Sequence, residues 1–126
     1  RPDLIPTIMQ NVFEKDKVSI WNDNPKRDFI FTEDAADAVL KLLVSDFIGT
    51  INLGTGKMTS LKDICKIIEK LSGKKILSEN KKVTGPMEFV TDISKLSQIT
   101  GWKPQHDIET GLKKTYEKMN SYYKQS

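Results

Sequence analysis

The chain has 126 residues, 37% of them apolar and 29% charged, which is the balance of an ordinary globular domain with a modest core. Its formal charge of +3 comes from scattered lysines, which excludes a basic nucleic-acid footprint and leaves a mild bias toward small anions. No apolar run could span a bilayer, no signal-peptide pattern is present, and the single cysteine, Cys65, excludes an internal disulfide framework, so a cytoplasmic setting is expected.

Apolar residues at Ile5, Ile8, Met9, Val12 and Phe13 follow helical spacing over Leu4 to Glu14, with Pro6 tolerated in the first turn and Asp3 placed to cap it. A start at Arg1 that opens almost at once into this helix fits a piece cut from a longer protein, and removal of a tag would leave the same trace. Val18 to Trp21 reads as a strand. Asn22-Asp23-Asn24-Pro25 is a turn, because Asn and Asp tolerate left-handed angles and Pro fixes its own. Phe29 to Phe31 reads as a second, buried strand. Thr32 is the expected N-cap of a helix running to about Val44, with Glu33 and Asp34 favoured by its dipole and Ala36, Val39, Leu40 and Leu43 on its apolar face. That face and the first helix either close on each other or cover a domain outside the chain.

Ile48 to Leu53 reads as a strand that ends in the turn Gly54-Thr55-Gly56. Ser60 opens the next helix with Asp63 three residues on. Leu61, Ile64, Cys65, Ile68 and Leu71 form its core stripe, and Gly73 stops it. Cys65 on that stripe is a core residue, since nothing in its neighbourhood would lower its pKa. Lys75 to Ser78 suits a short strand, Glu79 to Pro86 a loop, and Met87 to Val90 an extended segment. Asp92 caps a short helix to about Ile99, which Gly101 ends with Trp102 folding back onto it. Asp107 caps the last helix, whose stripe is Ile108, Leu112, Tyr116, Met119 and Tyr123, after which the tail frays. The expected class is therefore helix-rich mixed α/β.

Gly54-Thr55-Gly56-Lys57 invites a phosphate-loop reading but lacks its spacing: Ile51 stands where a Walker loop has its first glycine and Met58 where it needs Ser or Thr. Thr59 likewise replaces the third glycine of a dinucleotide fingerprint. One cysteine and one histidine, His106, cannot supply a soft-ligand metal cluster, so no metal site is expected. His106 precedes a helix cap in a polar stretch and reads as a surface residue. No G-x-S-x-G elbow occurs. Arg27 passes this screen, because an arginine beside a tight turn and before an apolar strand can present a planar fork of donors to a phosphate. Its alternative is a structural pair with Asp28, Glu33 or Asp34. Lys82 is a candidate second cation, and Asn52, on an otherwise apolar strand, a candidate buried polar group that needs partners.

In this order the motifs resemble the C-terminal part of the extended short-chain dehydrogenase/reductase family, the NAD-dependent nucleotide-sugar epimerases and dehydratases. Ile20-Trp21-Asn22-Asp23-Asn24 is similar to the family's W-G-D-G turn. Arg27 to Ala36 resembles R-D-F-I-Y-V-E-D-A-A, and Ile51 to Gly56 resembles Y-N-L-G-T-G. Asp92 to Lys95, Gly101 to Pro104 and Gly111 to Thr115 resemble D-x-S-K, G-W-x-P and G-L-x-x-T. The resemblance implies that residues 1–126 form the nucleotide-sugar-binding domain of a longer enzyme, acting as isomerase, lyase or oxidoreductase, with Arg27 on the substrate diphosphate, Ser19 and Trp21 beside the base, Asn52 near the phosphates and Lys82 at the cationic loop position. Two departures stand out: both glycines of W-G-D-G are asparagine here, and R-x-G-D is replaced by Lys82-Val83-Thr84-Gly85. The family's cofactor loop and Tyr-x-x-x-Lys pair belong to an N-terminal Rossmann domain, and neither occurs in this chain: Tyr116 is followed at that spacing by Asn120, and Tyr122 by Ser126. NAD or NADP is therefore expected in the full-length enzyme and not on this chain, which would be inactive alone. A homodimeric parent is compatible with this. No nucleic-acid or membrane partner is expected. The alternative function is a non-catalytic interaction or regulatory module that retains the fold.

Overall fold

The structure, a computed structural model, describes residues 4–125. Helix α1 spans Leu4–Glu14 as the periodicity predicts, burying Ile8, Met9 and Val12. The proposed cap at Asp3 lies outside the described residues. Strand β1 (Val18–Ile20) alternates buried, exposed, buried, and it pairs in parallel with β4 (Ile76–Ser78), Val18 opposite Ile76. Between them runs α3 (Leu61–Ser72). The Ser60 hydroxyl accepts from Asp63 N at 3.1 Å at its start, and Gly73 ends it with φ +74°, an angle that a Cβ would disfavour. Leu61, Ile64, Cys65 and Ile68 of α3 meet α1, β1, β4 and Leu112 of α5 (Ile108–Lys124) in the main core. Asp107 caps α5 by accepting from Thr110 N at 2.7 Å, and that bond holds its carboxyl below the usual range. The helix continues to Lys124, one residue past the end of the stripe.

A second, smaller core joins Ala38 of α2 (Thr32–Leu43), Leu96 of α4 (Ser94–Thr100) and Trp102, all essentially inaccessible. Gly101 (φ +70°) turns the chain so that Trp102 folds back, as predicted. The Asp92 carboxylate bonds Ser94 N and Oγ from just before α4, while Ile93 occupies the cap position itself.

Several expectations are corrected. Phe29 to Phe31 is not a strand; the pairing lies two residues earlier, in β2 (Lys26–Arg27), antiparallel to β3 (Thr59–Ser60), and the three aromatic and aliphatic residues are only half-buried. Thr32 is the first helical residue of α2, and Phe31 is the N-cap without a side-chain bond. The predicted apolar face of α2 points outward: Leu40 is 62% and Leu43 74% exposed, whereas the buried positions are Asp34 and Ala38. Ile48 to Leu53 forms no strand. A strand exists only with a ladder partner, and among the described residues this stretch pairs with none.

Candidate functional site

Arg27 sits in the middle of a three-segment arrangement. On one side Lys26 and Arg27 pair with Ser60 and Thr59. On the other side residues 87–91 run alongside in parallel: Lys26 N donates to Met87 O at 2.7 Å, and Phe89 N donates to Lys26 O at 3.1 Å. The Pro25 carbonyl accepts from Leu61 N, which ties the preceding turn to the start of α3. Flanked in this way, the Arg27 backbone has little freedom.

The guanidinium is anchored through one nitrogen, Nη1, which donates to Lys26 O at 2.9 Å and to Met87 O at 3.2 Å. Among the described residues no carboxylate lies within ion-pair distance of it, so the alternative of a structural pair with Asp28, Glu33 or Asp34 is not what the fold contains. Each of those acids is directed elsewhere. The Asp28 carboxylate accepts from Thr55 N (2.9 Å), Thr55 Oγ1 (2.6 Å), Gly56 N (2.8 Å) and Thr91 N (3.2 Å). Consecutive residues of an extended chain project to opposite sides, which is how neighbours Arg27 and Asp28 come to serve different surroundings.

That arrangement also explains the glycine turn. Gly56 adopts φ +79°, and a Cβ on Gly54 would come within 2.6 Å of Thr91 Cβ and 2.8 Å of Asp28 Oδ2. The N–H groups that a phosphate loop would offer to a ligand are taken by an internal carboxylate. The turn therefore does not fit a dinucleotide phosphate, in line with the failed spacing.

Trp21 is 58% exposed, its Nε1 donates to Lys82 O at 2.9 Å, and Lys81 Nζ lies 4.5 Å from its ring centre. Ser19 is exposed and donates to Glu79 at 3.4 Å. Trp21 and the backbone of Lys82 are thus brought together, and the loop 79–82 is laid against β1 and the turn after it by Glu79 N to Ile20 O and Lys81 N to Trp21 O. The Lys82 side chain is exposed. Asn52 is exposed rather than buried, and the strand expected to carry it does not form.

Sequence reasoning missed one cluster. His106 is not a surface residue: its Nδ1 lies 2.9 Å from Asp34 Oδ1, its N donates to Asp34 Oδ2 at 3.0 Å, and its Nε2 faces Lys114 Nζ at 3.0 Å. Asp34 is 2% exposed, and its own carbonyl accepts from the buried Trp102 indole at 3.1 Å. The pattern of α2 carried no signal for it, because Asp34 lies opposite the apolar stripe, and a buried acid is recognised only with its partner in place. A depression of about 450 Å³ lies elsewhere, lined by Asp16, Lys17, Val18, Gly73, Lys74, Lys75 and Leu77. Arg27 does not border it, and Lys74 there bonds the carbonyls of Val12 and Lys15 and so caps the end of α1.

Comparison with known proteins gives a consistent picture. The chain is 35% identical over 120 residues to UDP-glucuronate 4-epimerase of Thermodesulfobacterium geofontis, matching 91% of this chain and 37% of that protein. It is 33% identical over 105 residues to GDP-L-fucose synthase of Sinorhizobium fredii, matching 79% of this chain and 33% of the relative. Among solved structures, UDP-glucuronic acid 4-epimerase of Bacillus cereus, in complex with UDP-glucuronic acid and NAD, superposes with a TM-score of 0.84 at 28% identity over 98% of this chain and 41% of its own. UDP-glucose 4-epimerase of Thermotoga maritima shares the fold, with a TM-score of 0.85 at 21% identity over 96% of this chain and 40% of that one. No family model matches. The chain thus spans well under half the length of the proteins it resembles.

Proposed function

Because the chain belongs to the extended short-chain dehydrogenase/reductase family of nucleotide-sugar epimerases and dehydratases, we propose that it is the part of such an enzyme that grips the substrate's nucleotide diphosphate. One observation carries this reading. Arg27 pairs with Thr59 on one side, follows Lys26, which bonds Met87 and Phe89 on the other, is tied at Nη1 to two carbonyls, and has no carboxylate partner among the described residues. A guanidinium so held is pre-organised for a pyrophosphate at small entropic cost. Trp21, exposed beside the loop 79–82, borders the nucleotide base together with Ser19. Lys82 supplies a second charge without a bidentate fork, and Asn52 lies on the phosphate side.

Binding energy collected at the diphosphate orients the sugar for chemistry that other groups perform. Those groups are a nicotinamide cofactor and its acid/base pair, on an N-terminal domain outside this chain. The outward face of α2 is the surface that such a domain covers. Alone, the chain holds substrate and turns nothing over.

The test is Arg27→Ala in the full-length enzyme, with substrate affinity expected to fall by roughly 2 to 4 kcal/mol, as for other truncated charge contacts. Wild-type kcat/KM in that variant overturns the assignment.

A further inference from the structure

We propose that Asp28 is a positioning residue that holds Arg27 in its ligand-ready geometry by pinning the segment 87–91 against β2. The inference rests on the diphosphate reading of Arg27 and adds a residue to it.

Residues 26–28 and 87–91 run parallel, and successive rungs are Lys26 N to Met87 O and Phe89 N to Lys26 O. At the next rung, Thr91 N does not reach a backbone carbonyl of β2 but donates to the Asp28 carboxylate at 3.2 Å. Asp28 therefore closes the ladder with a side chain. Met87, at the other end of the same segment, supplies the carbonyl that holds Arg27 Nη1. Any loosening of residues 87–91 reaches Arg27 through that contact.

The same carboxylate also accepts from Thr55 N, Thr55 Oγ1 and Gly56 N. Two chain segments far from Asp28 in sequence, residues 55–56 and residue 91, thus converge on its carboxylate. Oδ1 takes Thr55 N and Oγ1, while Oδ2 takes Gly56 N at 2.8 Å, shares Thr55 N at 3.1 Å and takes Thr91 N at 3.2 Å. An amide cannot replace this, because its nitrogen is a donor and would face donors on one side. Removing the acceptor leaves N–H groups of a half-buried turn without partners. Gly54 completes the packing: its missing Cβ lets Thr91 and the carboxylate meet.

The experiment uses this chain and Asp28→Asn, with Thr55→Val, which deletes one donor, as a milder second variant. Amide exchange is read residue by residue, and UDP is titrated as the probe. In Asp28→Asn, exchange at Thr55, Gly56 and Thr91 should rise about tenfold or more, and Lys26 and Phe89 should rise with them. UDP affinity should fall about tenfold, and the same substitution in an Arg27→Ala background should change it less than about twofold. Thr55→Val should move each readout in the same direction by less.

Unchanged exchange at Lys26 and Phe89 would mean that Asp28 caps only the glycine turn, which overturns the proposal. So would unchanged UDP affinity, or a loss that persists undiminished without Arg27. A parent chain that does not bind UDP at all counts against the diphosphate reading, and the Lys26 and Phe89 amides then decide alone whether Asp28 holds the strand of Arg27.

Discussion

At the scale of single residues, neighbouring side chains diverge in what they do. Arg27 faces outward with a tethered fork, and Asp28, one residue on, is consumed by the internal loop. Cys65 shows the same dependence on surroundings. It is buried in the α3 stripe, and burial, helped by the charges of Asp23 and Glu69, pushes its thiol from 9.0 up to about 12. Two consequences follow. In the native chain Cys65 should resist alkylation at pH 8, where an unfolded cysteine reacts readily, as thiol-modification rates with and without denaturant will show. The folded pKa lies above the unfolded one, so this group's contribution to stability is fully present below pH 9 and is lost as pH rises toward 12. Denaturation midpoints measured from pH 8 to 11 should fall, and should fall less in Cys65→Ala. A midpoint that is flat across that range would contradict the burial argument.

At the scale of elements, α2 is the helix whose surroundings differ most from its pattern. Its periodicity promises an inward stripe at Ala36, Val39, Leu40 and Leu43, and its amphipathicity is real. What turns inward instead is Asp34, fixed by His106 and by Trp102 through its carbonyl, together with Ala38 against Leu96 and Trp102. Leu40 and Leu43, with Val44 and Ile48 beyond, therefore make an apolar strip on the surface, and Val44 is 86% and Ile48 95% exposed. Such strips mark interfaces. Leu40→Glu with Leu43→Lys should leave the stability of this chain within about 0.5 kcal/mol, because neither side chain is buried here. It should also raise solubility. Chemical denaturation of the chain checks the first expectation. A loss of several kcal/mol would show that the stripe packs inward after all.

At the scale of the whole molecule, two cores divide the labour. The larger joins α1, β1, α3, β4 and α5, and it provides the ground on which β2 and its turn are fixed, through Leu61 N to Pro25 O and Lys62 N to Asp23 O. The smaller holds α2 to α4 through Trp102. Trp102→Ala should cost roughly 3 to 5 kcal/mol, as for other large-to-small changes at inaccessible sites. It also removes the indole donor from the Asp34 carbonyl. Urea titration gives the number, and a cost under about 1 kcal/mol would mean that the second core is loosely packed. With so few buried residues, a loss near the expected figure is a large share of a small domain's stability.

Features that depend on neighbours along the chain are readable from the order of residues alone. The helices α1, α3 and α5, the caps at Ser60 and Asp107, the stops at Gly73 and Gly101 and the return of Trp102 were all legible, because caps, turns and apolar stripes act within a few residues. Arg27 could be singled out on the same grounds, as a lone arginine between a turn and an apolar run. Tertiary structure decided what depends on partners far away in sequence. It moved the second strand from Phe29–Phe31 to Lys26–Arg27, because pairing follows where Thr59, Ser60 and residues 87–91 lie. It left Ile48–Leu53 without a ladder, exposed Asn52, turned the α2 stripe outward and joined His106 to Asp34. A strand, a buried charge and an open apolar face are each defined by what stands opposite, and a linear pattern carries only half of that pair.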